Sequence, residues 1–176
     1  MAADIIRPDS LSAWISMKLE RLAVMTDVMC KGMTLSDFFK EAARCNVPGL
    51  PYVNDQGRIA GRISMRDVYK RIAVPDNILA LADAMGDKTD RLDLSEKRVV
   101  RAFARPVERY LLENIPNVSP YSSLVKALAI MEAHNTHYIF LIEDGEYKGV
   151  VTRMVIAKRM LECLQEMEQN ADASQS

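Results

Sequence analysis

Ser64 and Asp67 place a hydroxyl and a carboxylate three residues apart, types that can hold a small molecule. They sit where an apolar strand pattern gives way to a helix pattern. A carboxylate one helical turn past a strand end can accept hydrogen bonds from hydroxyl groups. Such charge-assisted bonds are stronger than neutral ones. A hydroxyl beside the free N–H groups of a helix start favours an anion. The same two residues have a plainer account. Ser64 can cap the helix, and Asp67 can place a favourable negative charge in its first turn. The residues alone leave both accounts open.

The elements that position this pair occur twice. Leu50 to Gly57 runs on to Gly61, Ser64 and Asp67, and Ile139 to Gly145 runs on to Gly149, Thr152 and Val155. At one offset Leu35 aligns with Leu124, Val47 with Thr136 and Pro51 with Phe140. The offset slips by one residue in the turn between strands, where insertions are tolerated best. A fixed internal repeat means one supersecondary unit per copy. Each copy predicts a capped helix, starting at Thr34 or Ser36 and at Ser122 or Ser123. Leu35, Phe38, Phe39 and Ala42, then Leu124, Ala127, Leu128 and Met131, keep the spacing of a helix buried on one face. A strand over Tyr52–Val53 or Phe140–Ile142 follows, then a glycine-containing turn. A second strand runs over Arg58–Ile63 or Tyr147–Val151. The copies differ where chemistry is concerned, because Val155 stands in place of Asp67.

The order helix, L-P-V-V-D, turn, G, x, hydrophobic, S/T, x, x, D resembles the CBS domain, and two copies resemble a CBS pair, or Bateman module. The likeness covers roughly 25–74 and 105–162. Copy one is the closer match to the pattern; copy two departs from it at Phe140 and Val155. The resemblance implies an α+β fold. Two β-α-β-β-α repeats would pack through their sheets about a pseudo-two-fold axis, with ligand clefts between them. The divisions expected are an N-terminal amphipathic helix (1–24), repeat one (25–74), a helical linker (75–104), repeat two (105–162), and a C-terminal helix end with a frayed tail (163–176).

By the same resemblance Ser64 and Asp67 would meet the phosphate and ribose of an adenine nucleotide of the AMP, ADP or ATP class. Thr34, Leu50, Pro51 and Tyr52 would line the pocket. Arg62 and Arg66 would be within reach of a phosphate. Backbone groups of the neighbouring strand would read the base. A weaker second site would use Thr152, His137 and Arg153. No other cofactor is implied, with Mg2+ only as the companion of a polyphosphate. The family's habits also imply a homodimer through the helices, using Ile156, Met160, Leu161, Leu164 and Met167. They imply a regulated partner protein as well.

Composition narrows the function classes. In 176 residues, 49% hydrophobic and 27% charged, the chain has globular balance. A net charge of -1 gives no general attraction for nucleic acid or anionic membrane. No apolar run approaches the roughly 20 residues of a membrane helix. Three cysteines without C-x-x-C spacing suit reduced thiols in the cytoplasm. His134 and His137 lack a third ligand that would suggest a metal. No nucleophile–base pair, glycine-rich phosphate loop or carboxylate cluster points to an enzyme. The expectation is a regulatory ligand-binding module. The alternative is a scaffold of the same fold with no physiological nucleotide.

Outside the repeats, residues 9–25 predict an amphipathic helix with Leu11, Trp14, Ile15, Leu19, Leu22 and Met25 on one side. Its face would pack on the module or meet a second copy. In the linker, helices are expected over Asn77–Met85 and Ser95–Arg105. Lys97, Arg98, Arg101, Arg105 and Arg109 form a basic run that Pro106 should break. The plain account of that run is a solvated face balanced by Asp87, Asp90, Asp93 and Glu96. A phosphate-rich ligand is the alternative. The tail is expected to fray from about Gln169.

Overall fold

The computed structural model describes residues 18–74 and 96–173, divided between two compact units. One unit spans Thr26–Ile115 and holds copy one. The other joins Met1–Met25 to Pro116–Ser176 and holds copy two. The units are thus not the sequence repeats themselves. Each includes a segment that precedes the opposite copy in the chain. The expected helix over Asn77–Met85, and Leu11, Trp14 and Ile15, lie outside the described residues.

In the copy-one unit, α1 (Leu35–Cys45) starts at a full capping box. The Thr34 side chain accepts from the Asp37 amide at 3.3 Å, and the Thr34 amide donates to Asp37 Oδ2 at 2.9 Å. The helix stops at Asn46 in the left-handed region (φ 53°), a conformation asparagine tolerates. The chain then forms an antiparallel hairpin of β1 (Gly49–Val53) and β2 (Ile59–Ser64). Asn54 Oδ1 shapes its turn by accepting from the amides of Gln56 and Arg58. Met29 pairs in parallel with Tyr52 on one edge, and Leu112 pairs antiparallel with Arg62 on the other. Gly61 makes room for that second neighbour. A Cβ there would stand 2.7 Å from the Leu112 carbonyl oxygen.

α2 (Met65–Ile72) follows β2 directly, and α3 (Glu96–Phe103) packs on α1 and α2. Phe39 of α1 stacks on Phe103 at 4.8 Å and tilts against Tyr69 of α2 at 5.6 Å. The core beneath consists of Leu35, Phe38, Ala42, Leu50, Ile63 and Val68, all fully buried. α3 ends at Phe103, ahead of Pro106, so Arg109 does not share its helix. Arg109 stands instead on a short 3-10 turn, Val107–Tyr110.

The copy-two unit follows the same order: β3 (Asn117–Val118), α4 (Leu124–Ala133), β4 (Tyr138–Glu143), β5 (Glu146–Thr152) and α5 (Arg153–Ala173). Its sheet runs β3-β4-β5, with β3 parallel to β4. Val24 extends the far edge by exchanging two backbone hydrogen bonds with Val150, at 2.9 and 3.0 Å. The single helix expected through residue 25 is therefore corrected. Leu19–Leu22 is a 3-10 turn, and the chain from Ala23 is extended. Leu19 and Leu22 are buried as expected, but Met25 is 64% exposed. Sheet pairing by β-branched Val24 outweighs the helical spacing of the apolar residues.

Two further expectations need correction. α5 continues past Gln169 to Ala173, because the stretch contains no glycine or proline to stop it. Ile156 packs in the core rather than on the outer face of α5, where Met160, Leu161 and Leu164 are exposed.

Candidate functional site

Ser64 is the last residue of β2 and the N-cap of α2, and it is buried. Its side chain makes no capping hydrogen bond. Among the described residues, no hydrogen bond or ion pair engages the carboxylate of half-buried Asp67 in the first turn of α2. The end of β2 is anchored from elsewhere, since the Met65 amide donates to the Pro48 carbonyl at 2.9 Å. The local backbone is held without drawing on the Ser64 hydroxyl. The plainer account, in which Ser64 caps the helix, does not describe this copy.

Copy two uses the same backbone anchor, the Arg153 amide donating to the His137 carbonyl at 3.0 Å. Its hydroxyl behaves differently. Thr152 Oγ1 accepts from the Val155 amide at 3.1 Å and so caps α5. Val155 packs against the apolar core. His137 is exposed, and Arg153 donates to Glu132 Oε2 at 2.7 Å. These three residues hold the start of a helix.

The remaining copy-one residues are placed as follows. The Thr34 hydroxyl donates to Asp37 Oδ2 at 2.8 Å besides serving in the cap. The Thr34 amide, and then that hydroxyl, lower the Asp37 pKa. Leu50 is fully buried in the core. The Pro51 carbonyl accepts from Met29 N, and the Val53 amide donates to Met29 O, both at 2.8 Å. That strand edge is thus already paired. Tyr52 is buried, and burial followed by the nearby Glu108 charge raises its pKa. Arg62 is buried too, with Nε donating to the Asn114 carbonyl at 2.8 Å, so its guanidinium fastens the 112–114 segment. Arg66 is exposed on α2. Ser64, Arg66 and Asp67 share the start of α2, whereas Thr34, Leu50 and Arg62 do structural work.

Glu41 was not legible as a special position. It is 7% exposed on α1. It accepts from the Asp27 amide at 2.7 Å and from Arg44 Nη2 at 2.6 Å, and Cys45 Sγ lies 3.3 Å away. The Arg44 contact outweighs burial and draws its pKa from 4.5 to about 2. Its position among Phe38, Ala42 and Cys45 on the helical wheel was the available signal. A second signal lay upstream of the copies. Leu19–Leu22 and Val107–Tyr110 share the form apolar-Glu-Arg-apolar, and both fold as 3-10 turns. The repeat therefore extends upstream of each α-helix, to these 3-10 turns.

The family model for the CBS domain matches residues 107–162. The chain has the fold of the CBS-domain structures it superposes on. The CBS domain of a membrane protein from Sphaerobacter thermophilus superposes with a TM-score of 0.60 at 18% identity. That match covers 85% of this chain and 91% of the other. A CBS domain-containing protein of unknown function from Bacillus anthracis gives 0.58 at 18% identity, covering 86% and 98%. A Methanocaldococcus jannaschii protein named for homology to g-AMPK gives 0.59 at 16% identity, covering 86% of this chain and 52% of its own. No curated protein matches the chain.

The family match falls on the CBS copy that lacks the S-x-x-D ending. Among the described residues no helix is long and apolar enough to cross a membrane, and no three metal-ligating side chains of His, Cys, Asp or Glu cluster.

Proposed function

We propose that this CBS pair is a regulatory module that binds an adenine nucleotide at copy one and catalyses no reaction. The supporting observation is the pair at the start of α2, a buried Ser64 hydroxyl outside the helix cap and an Asp67 carboxylate without a described partner. Asp67 would accept from the ribose hydroxyls, and Ser64 with the first amides of α2 would face phosphate. Mg2+ would enter only with a polyphosphate. Arg66 supplies positive charge at the same helix end, whereas Arg62 acts through the segment it fastens.

Binding would work by population shift. The nucleotide favours the conformations in which its contacts are made, and a partner protein reads the change. The module would act as a homodimer through the exposed Met160, Leu161 and Leu164 face of α5. Light scattering that finds a monomer at micromolar concentration counts against that contact. Three free thiols suit a cytoplasmic setting.

A scaffold without a nucleotide is the second reading. The capping box of Thr34 and the pairing of Pro51 and Val53 with Met29 favour it, because they remove groups a ligand would use. Calorimetry with AMP, ADP, ATP and an adenosylated metabolite decides between the two. The nucleotide reading expects at least one ligand to bind below about 1 mM, which corresponds to roughly 4 kcal/mol. Heats that stay flat through that range for the whole panel leave the scaffold.

A further inference from the structure

The far end of α2 meets α3 around a cavity of about 440 Å3 lined by Arg71, Ile72, Lys97, Arg98, Arg101, Ala102 and Arg105. Ile72 and Ala102 are buried and give it an apolar floor. The other five residues are cationic. Arg71 is directed by donation from Nη1 to the Arg109 carbonyl. Among the described residues, none of the five has a carboxylate within salt-bridge distance. The chain as a whole carries a net charge of -1, so this is a local concentration of positive charge.

Helix stability does not account for it. Lys97 and Arg98 occupy the first turn of α3, where the helix dipole disfavours cations. Lys97 and Arg101 stand four residues apart on one face, a spacing at which like charges repel. Repulsion of this kind is relieved by a ligand bearing several negative charges close together. Arginine also offers paired N–H groups that match phosphate oxygens. The volume falls within the range of small-ligand sites.

We propose that this basic cavity binds a compact polyphosphate, either free or as the phosphate tail of a nucleotide. The site is separate from Ser64 and Asp67. Those residues stand at the first turn of α2, whereas Arg71 and Ile72 belong to its last. It does not depend on the nucleotide reading of copy one.

The test is calorimetric titration of inorganic tripolyphosphate into the full chain at about 50 and about 300 mM salt. Saturable binding that weakens with salt is expected. The double variant Arg98→Ala/Arg101→Ala should lose about tenfold in affinity for each arginine removed. Both side chains are exposed, and a thermal melt checks that the variant folds. Asp67→Ala should leave tripolyphosphate binding unchanged, which separates this site from the one at the start of α2. ATP and adenosine serve as further arms. Equal binding of ATP and tripolyphosphate to the parent chain, with both weakened in the double variant, assigns recognition to the phosphates. Binding of ATP without tripolyphosphate overturns the proposal. So does a double variant that binds tripolyphosphate like the parent chain, or sulfate at matched ionic strength competing equally well.

Discussion

The two copies share a scaffold and differ in what their hydroxyl does. Helix α1 ends at Asn46 and α4 is followed by Asn135, both with positive φ. In each copy the residue just before the hairpin is tied to the first residue of the helix after it by the same backbone bond, Met65 to Pro48 and Arg153 to His137. The segment that precedes the opposite copy pairs with each second hairpin strand, Leu112 with Arg62 and Val24 with Val150. Yet Thr152 caps its helix and Ser64 does not. Duplication has preserved backbone geometry, while side-chain functions have diverged. Substitutions at paired positions should separate the two levels.

The largest effect is expected where the backbones approach. Gly61→Ala places a Cβ 2.5 Å from Leu111 Cδ1 and 2.7 Å from the Leu112 carbonyl, which is held by its own pairing. Gly149→Ala meets Ala23 Cβ at 3.0 Å and the Val24 carbonyl at 3.2 Å, at a strained φ of +121°. Chemical denaturation should show losses of about 3 kcal/mol for the first and about 2 for the second. A neutral Gly61→Ala would mean that 112–114 does not pair there in solution.

Ligand binding should separate the copies next. Asp67→Ala should weaken ribonucleotide binding at least tenfold, since about 1.4 kcal/mol is a modest value for a charged hydrogen-bond acceptor. Val155→Ala should change affinity less than about twofold, a difference near or below 0.5 kcal/mol. Equal effects would remove the distinction between the sites. Val155→Asp should not create a second site, because it buries a carboxylate against Ile156 and its neighbours while Thr152 stays engaged.

The architecture was legible because it depends on periodic apolar residues and on turn residues. Leu35, Phe38 and Ala42, and their counterparts Leu124, Ala127 and Met131, are buried. The pairing of Val24 with Val150 was not legible. Its apolar neighbours Leu19, Leu22 and Met25 fit a helical face equally well, and only tertiary pairing decides against it. The roles of Thr34, Pro51 and Arg62 were hidden for a related reason. Sequence shows that a side chain can hydrogen-bond, but not that Asp37, Met29 or Asn114 already holds it.

Glu41 gives the copies different acid responses. Its counterpart in α4 is Ile130, which does not titrate and packs against the copy-two core. The folded Glu41 carboxyl, at about 2 instead of 4.5, releases its proton more readily than the unfolded one. Its network therefore stabilises the copy-one unit fully above about 4.5, and that contribution fades as pH falls toward about 2. Glu41→Gln should cost on the order of 1–2 kcal/mol at neutral pH, reduced because Arg44 is well exposed. The gap between parent and variant should close on acidification. A gap that stays constant from pH 7 to 3 would show that shape rather than charge is at work.

The smallest effect tests the comparison most directly. Thr152→Ala removes the acceptor of the Val155 amide and should cost about 1 kcal/mol, as an N-cap does. Ser64→Ala removes no capping bond, so its cost should stay within about 0.5 kcal/mol. On the proposed nucleotide reading it should nevertheless weaken nucleotide binding, because the hydroxyl would face the ligand rather than the helix. Thr152→Ala should do the reverse, lowering stability and leaving nucleotide affinity alone. If Ser64→Ala instead costs as much stability as Thr152→Ala with no change in affinity, the two hydroxyls have the same task, and copy one has no more of a site than copy two.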